Sequence, residues 1–172
     1  MSHLPVLGRM YVGDLRKESM KLTSSAFENN ETIPTVYTCE GENISPPLSW
    51  SGVPDKADFL VLIVDDPDAP SRTFTPWVAY NLPPMPPNLK EGASLSDRLS
   101  EGLREGVNSF GEQGYGGPCP PRGGGEHRYF FRLYAVNQQL NFTGRVTRDQ
   151  LMEAIEGKTL DEAELMGRFA RR

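Results

Sequence analysis

The sequence predicts a mainly β (α+β) fold, an antiparallel β-sandwich that ends in two short helices. Two apolar runs, residues 59–64 and 129–136, are short and rich in β-branched or aromatic side chains, which is typical of buried strands. Fifteen prolines and seventeen glycines indicate many turns rather than a helix bundle. Helical patterns come only after the strands, and this order favours a sandwich with helices at one end.

The other strands are predicted from weaker patterns. Prolines interrupt or end several of these segments, and residues 88–105 are polar and loop-like. In chain order, the weaker strands are residues 21–27, 35–38, 48–50, 77–82 and 107–110.

Both predicted helices begin at a recognisable start signal. Residues 147–150 (TRDQ) fit a capping box, apolar residues follow at helical spacing, and Gly157 ends the segment. Residues 159–162 (TLDE) repeat the signature, and the apolar positions that follow or overlap it are Leu160, Ala163, Leu165, Met166 and Phe169. The second helix is therefore expected close to the C-terminus.

Length and charge limit the classes of function. A chain of 172 residues can form one domain with a substantial core, which we place at residues 20–172, after an N-terminal appendage at residues 1–19 whose order the sequence leaves open. The formal net charge of −5 argues against nucleic acid or an anionic membrane surface as the main partner. No run has membrane-spanning length and no secretory signal is visible, so we expect a cytoplasmic protein without a transmembrane segment.

The densest local signal is the Gly/Pro loop, residues 114–126, which leads into the strand pattern at His127. Such a mixture of glycine and proline fits neither helix nor sheet, and indicates a loop of defined path. By strand alternation His127 and Tyr129 point the same way, and an imidazole and a phenol together could bind an anion such as phosphate or carboxylate. Two alternatives stay open: the loop is only a stiff connection, and His127 is satisfied by a backbone carbonyl at a strand end.

Two carboxylates, Asp66 and Asp68, follow the most apolar predicted strand in the sequence DPDAP. Each proline pushes the residue before it towards an extended conformation, so the backbone here is stiff. The carboxylates could accept hydrogen bonds from a ligand, orient a histidine or bind a cation. The alternative is local turn chemistry with nearby N–H groups, which we favour for Asp68 and leave open for Asp66.

The two cysteines, Cys39 and Cys119, are too few for a disulfide framework. They could be neighbouring thiols, a bridge or unrelated, and in a cytosolic chain the reduced state is the expected one. A nucleophile–base pair of Cys119 with His127 is disfavoured, because prolines flank the cysteine and no cation is assigned to activate it. The sequence offers too few ligands for zinc and lacks the rest of a calcium loop, so no metal and no cofactor is predicted.

Three separated motifs together resemble the phosphatidylethanolamine-binding proteins, with the prokaryotic Raf-kinase-inhibitor-like branch as the nearest. They are CEGENISPPLSW at 39–50, DDPDAPSR at 65–72 and GYGGPCPPRGGGEHRYFFRLYA at 114–135. The resemblance extends from about residue 20 to the C-terminus. It implies a central antiparallel β-sandwich with C-terminal helices and a small anion pocket at one end. The implied ligand-binding positions are Asp66, Gly117, Pro118, Pro120, Pro121, His127 and Tyr129, and Asp68 of the same motif is counted with them.

This chain departs from the family pattern at two positions. Pro76 stands where the family usually carries a second pocket histidine, and proline offers no donor from its side chain or its backbone. The loss of one charge-assisted hydrogen bond commonly costs about 1–3 kcal/mol. Phe169 stands where the family often has tyrosine. The resemblance also brings Cys39 and Cys119 near the pocket end, which leaves a bridge between them plausible.

The sequence therefore predicts a non-catalytic binding or regulatory protein. Its ligand would be a small anion such as phosphate or a phosphoethanolamine-like head group, and its loops could inhibit a kinase or a serine protease. One alternative is an interaction module with a vestigial pocket, in which loops 83–105 and 114–126 carry the partner contacts. A weaker alternative is a hydrolase or lyase that uses Asp66 and His127.

Overall fold

The computed structural model describes residues 18–94 and 104–172, in which strands form two sheets and one α-helix lies between the last two strands. A short 3-10 helix covers Thr35–Tyr37, and the α-helix, α1, covers Arg148–Ile155. The strands are β1 (Lys21–Thr23), β2 (Glu31–Thr32), β3 (Leu48–Ser51), β4 (Phe59–Asp66), β5 (Phe74–Leu82), β6 (Asn88–Leu89), β7 (Arg104–Glu105), β8 (His127–Val136) and β9 (Thr159–Phe169).

The sheets differ in size. The small sheet has the order β1-β3-β6, and the large sheet has the order β2-β9-β8-β4-β5-β7. All pairs are antiparallel except β2 with β9, which is parallel. The predicted mainly β architecture of packed sheets is confirmed.

Strand β4 explains why the run at 59–64 is apolar without interruption. Leu62 and Val64 belong to the core that the large sheet shares with the small sheet, whereas Val61 and Ile63 pack with Leu151 of α1 and its neighbours on the other face. A strand covered on both faces has no polar side to alternate with. The prediction of a strand that is buried on both sides is therefore confirmed.

The segment at 159–169 corrects the prediction of a second C-terminal helix. It is strand β9, which pairs with β8 from Thr159 opposite Val136 to Phe169 opposite His127. Alternate residues from Ala163 to Phe169 are buried, which is a period of two. The same apolar residues also have helical spacing, but they form a strand because the long antiparallel ladder with β8 satisfies the backbone hydrogen bonds of both strands.

The first predicted helix is present and begins as expected. The Thr147 side chain accepts from the N–H of Gln150, and the Gln150 side chain accepts from the N–H of Thr147, which completes the capping box. Leu151 and Ile155 are the buried residues of this helix. They anchor α1 to the face of the large sheet that lies away from the small sheet.

Several weaker strand predictions change. Residues 35–38 form the 3-10 helix, the first strand is limited to Lys21–Thr23, and the region 107–110 contains only an isolated bridge between Val107 and Gln113. Residues 1–17 and 95–103 lie outside the described residues, so the appendage at 1–19 and the division at residue 20 stay predictions. Within the described ranges, no helix is long and apolar enough to cross a membrane.

Candidate functional site

The end of β4 and the start of β8 bring a carboxylate and an imidazole together. Nδ1 of His127 lies 2.7 Å from Oδ2 of Asp66, and the two side chains are only 5% and 4% exposed. The sequence alternative in which a backbone carbonyl satisfies His127 is wrong, because the partner is this carboxylate. A buried carboxylate at this distance fixes the orientation of the ring, as in other carboxylate–histidine pairs.

The second oxygen of Asp66 is also engaged. Oδ1 accepts a hydrogen bond of 2.9 Å from the backbone N–H of Asp68. This is the turn chemistry that the sequence left open for Asp66, and it occurs together with the histidine contact. Both oxygens of the buried carboxylate therefore have partners, which holds its plane in one orientation.

The outer nitrogen of His127 is the polar atom that the site leaves available. Within the residues that the structure describes, Nε2 makes no hydrogen bond, whereas Nδ1 is held by Asp66. In a neutral ring with the proton on Nδ1, Nε2 is an acceptor, and in the imidazolium form both nitrogens donate. A protonated His127 can thus present one N–H to a ligand while Asp66 balances its charge.

Tyr129 lies on the same side of β8 as His127, as strand alternation predicts, and it is fully buried. Burial raises the pKa of its phenol far above the ordinary value, and the negative charge of Asp66 raises it further. The phenol therefore stays protonated at any ordinary pH. It adds a hydroxyl to the environment of the Asp66–His127 pair.

Asp68 is brought to a different partner from Asp66. Its carboxylate accepts hydrogen bonds of 2.9 Å from the backbone N–H, Nε and Nη2 of Arg128. The hydrogen bond with the Arg128 side chain lowers the pKa of Asp68 to about 2. In this structure Asp68 braces the start of β8, and its role as a ligand-binding residue stays a prediction.

The Gly/Pro loop follows a path fixed by hydrogen bonds to two other segments. The N–H of Gly116 donates to the carbonyl of Pro76 in β5 at 3.0 Å, and the N–H of Gly117 donates to Oδ1 of Asn43 at 2.7 Å. Pro76 is buried, and its carbonyl holds the loop, whereas its ring has no group that could donate to a ligand. The consequence of Pro76 for ligand binding stays a prediction.

Gly117 has a steric reason to be glycine. A Cβ at this position would collide with the Tyr37 carbonyl and with Oδ1 of Asn43. The neighbouring Tyr115 reinforces the contact, because its hydroxyl donates to the carbonyl of Tyr37 at 2.6 Å. Sequence reasoning missed Asn43 and Tyr115, since nothing in the spacing of the motifs connects residue 43 with residue 117.

A disulfide bond between Cys39 and Cys119 joins the same two segments, with 5.4 Å between the Cα atoms. The N–H of Cys39 also donates to the carbonyl of Pro118 at 3.2 Å, so the two segments lie side by side here. The structure therefore contains the bridge that the sequence left open, and not the reduced thiols that are the default in a cytosolic chain. The Cys119–His127 nucleophile pair is excluded as well, because the sulfur of a disulfide is not a thiolate.

Asp65 is a further buried carboxylate that sequence reasoning missed. It accepts from Nε and Nη2 of Arg148 at 2.9 Å and from Oγ1 of Thr75 at 2.7 Å. It therefore lies on the α1 side of the large sheet, opposite Asp66. Alternation along β4 carried this signal, since Asp65 continues the face of Val61 and Ile63.

Comparisons with known proteins find relatives over most of the chain. The family model of the phosphatidylethanolamine-binding proteins matches residues 23–170. A UPF0098 protein of Methanothermobacter thermautotrophicus is 49% identical over 152 residues, which cover 88% of this chain and 99% of that protein. A crystal structure of a phosphatidylethanolamine-binding protein homologue from Chlamydia trachomatis has a TM-score of 0.81 and 43% identity, and covers 90% of this chain and 99% of its own. The crystal structure of Escherichia coli YbcL has a TM-score of 0.83 and 29% identity, with the same coverage of 90% and 99%.

Proposed function

The chain belongs to the phosphatidylethanolamine-binding protein family, and on that premise we propose that it binds a small phosphate-like anion at His127 without transforming it. The observation that carries the proposal is the buried Asp66–His127 pair, whose Nε2 has no partner among the described residues. The imidazolium Nε2–H would donate to the anion. Asp66, on the far side of the ring, would balance the imidazolium charge.

The surroundings of the pair support binding of an oxoanion. The hydroxyl of Tyr129 stays protonated and hydrogen-bonds with Asp66, so it helps to hold the carboxylate that orients His127. Burial excludes water from the Asp66–His127 contact and makes that contact stronger than it would be at the surface. The ligand chemistry is that of a phosphoryl group, which both a free phosphate compound and a lipid head group carry.

Binding is favoured over catalysis because the chain offers the pair no cysteine thiolate as a nucleophile. Both cysteines of the chain are joined in the disulfide, so neither offers a thiolate. His127 and Asp66 could act as a base and its orienting group, but covalent or hydrolytic chemistry also requires a positioned nucleophile or water. Should an activity be found, Asp66→Asn would abolish it only if this pair carries the chemistry.

The proposal is tested by titration of the purified protein with inorganic phosphate and with phosphoethanolamine, followed by the imidazole NMR signals of His127. We expect saturable shifts with millimolar or tighter affinity, and loss of binding in His127→Ala with the fold retained. Vesicles that contain phosphatidylethanolamine form a separate arm. Binding to the vesicles alone would indicate the lipid source of the phosphoryl group, and no response in any arm would contradict the proposal.

A protein partner, such as the kinase or serine protease that the family resemblance suggested, can be separated from the small ligand. The interaction-module alternative predicts that partner binding survives His127→Ala. Capture of a kinase or protease by both the wild type and this variant would support that alternative. Loss of capture in the variant would connect partner binding to the pocket.

A further inference from the structure

Arg171 carries a polar atom that the fold leaves without a partner. Its Nε is buried and is the one buried side-chain nitrogen or oxygen in the described residues that has no hydrogen-bond partner. No ion pair of Arg171 is present in that part of the chain either. Buried donors are nearly always satisfied, so an orphaned guanidinium nitrogen indicates a partner that is not among the described residues.

The position of Arg171 is fixed by its neighbours on both sides. Phe169, two residues earlier, pairs with His127 across the β8–β9 ladder. The next residue, Arg172, donates its N–H to Oε1 of Glu40 at 3.0 Å and accepts at its carbonyl from Nη1 of Arg122 at 2.8 Å. The C-terminal segment thus runs from the strand end opposite His127 to the segments that the disulfide clamps together.

The backbone of Arg171 therefore lies between the strand end opposite His127 and the point where Arg172 contacts the Gly/Pro loop at Arg122. Two residues of extended chain span roughly 7 Å, and an arginine side chain reaches about as far again. Of the acidic residues in this region, Glu126 pairs with the guanidinium of Arg168, and Glu40 accepts from the backbone N–H of Arg172. Neither carboxylate forms an ion pair with Arg171.

We propose that Arg171, between the strand end opposite His127 and the clamped Gly/Pro loop, is a second cationic ligand for the phosphoryl group and determines the preference for it. The inference rests on the function proposed above. It also answers the departure at Pro76, because a guanidinium supplies donors that the proline position lacks. A planar guanidinium binds two oxygens of a phosphoryl group at once, whereas a histidine binds one.

The test compares three variants in titrations with inorganic phosphate and with phosphoethanolamine. Arg171→Ala is expected to weaken binding about tenfold or more, since it removes charge-assisted hydrogen bonds. Arg171→Lys keeps the charge but loses the planar guanidinium that can bind two oxygens. Its affinity is expected to lie between those of Arg171→Ala and the wild type. Arg172→Ala removes the same charge one residue away, retains its backbone contacts, and is expected to change affinity less than about twofold.

The outcomes separate this inference from the proposed function. Equal losses in Arg171→Ala and Arg172→Ala would indicate only general electrostatic attraction and would overturn the role of Arg171. Binding that is lost in His127→Ala but unchanged in Arg171→Ala would also overturn it, while the proposed function would stand. No binding by the wild type would remove both. If Arg171→Ala fails to fold, Arg171→Lys decides the matter, because wild-type affinity in that variant rules out a bidentate fork.

Discussion

At the scale of single residues, two adjacent carboxylates contact different partners on opposite faces of the large sheet. Asp65 turns to Arg148 on the α1 side of the large sheet, and Asp66 turns to His127 on the side of the small sheet. The alternation of a strand is enough to predict that they point apart. The partners are not predictable in this way, because His127 is 61 residues from Asp66 in sequence and no local spacing connects them.

Replacing Asp66 should weaken phosphate binding more than replacing a carboxylate that does not contact His127. Asp66→Asn removes the charge that balances an imidazolium at His127, and we expect phosphate affinity to fall about tenfold. Asp58→Asn is the control, because Asp58 precedes the start of β4, at the opposite end of the strand from Asp66, and its carboxylate is exposed. Titration calorimetry measures both, and equal affinities for Asp66→Asn and the wild type would show that the pair is only structural.

Asp68 should contribute to stability in a pH-dependent way. Hydrogen bonding to Arg128 lowers the pKa of Asp68 from 3.8 to about 2 in the folded protein. Because the folded-state pKa lies below the unfolded one, the contact stabilises the fold above about pH 4, and this stabilisation is lost as the pH falls towards about 2. Urea midpoints of Asp68→Asn should therefore lie below those of the wild type at pH 6 and approach them near pH 2.

The control for that series is Asp58→Asn, at an exposed carboxylate whose described contact is made by its backbone. Its midpoint should follow the wild type at every pH. A difference between Asp68→Asn and the wild type that is the same at pH 6 and near pH 2 would argue against the ion pair as its cause.

At the scale of elements, the prediction worked where one pattern dominated and was wrong where two patterns competed. The apolar run of β4 and the capping box of α1 are local signals, and both elements formed as expected. In β9, Leu165 and Phe169 fit a helix by spacing and a strand by alternation. The ladder with β8 decided between them. This pairing joins residues that are distant in sequence, so local sequence patterns cannot predict it.

The Gly/Pro loop depends on a covalent link that the sequence left open. The disulfide joins residues with a sequence separation of 80, and the loop-closure entropy of such a cross-link corresponds to a stabilisation of about 4 kcal/mol. Reduction should therefore lower the urea midpoint and, by loosening the contact of Gly117 with Asn43, weaken phosphate binding.

The double variant Cys39→Ser, Cys119→Ser provides the control for reduction. It should resemble the reduced wild type and should not respond to dithiothreitol. Alkylation of the unreduced protein, followed by mass measurement, checks the link itself. Two labelled cysteines without prior reduction would contradict the disulfide.

At the scale of the whole molecule, one sheet separates two buried polar sites. Tyr129 and the Asp66–His127 pair lie towards the small sheet, and the Asp65–Arg148 pair lies towards α1. The family motifs allowed the first site to be predicted from sequence because they contain its residues. The second site escaped prediction, since Arg148 lies in a helix whose contact with the sheet is visible only once the chain has folded.

This arrangement predicts that stability and ligand binding can be changed independently. Arg148→Ala leaves Asp65, whose side chain is 3% exposed, with Thr75 and a more distant Arg132, and should destabilise the fold by about 2 kcal/mol. Phosphate affinity should stay within about twofold of the wild type, because the opposite face of the sheet is unchanged. Urea unfolding and calorimetry on Arg148→Ala and Asp66→Asn measure the two effects. A loss of affinity in Arg148→Ala as large as that in Asp66→Asn would mean that the large sheet transmits strain between its faces.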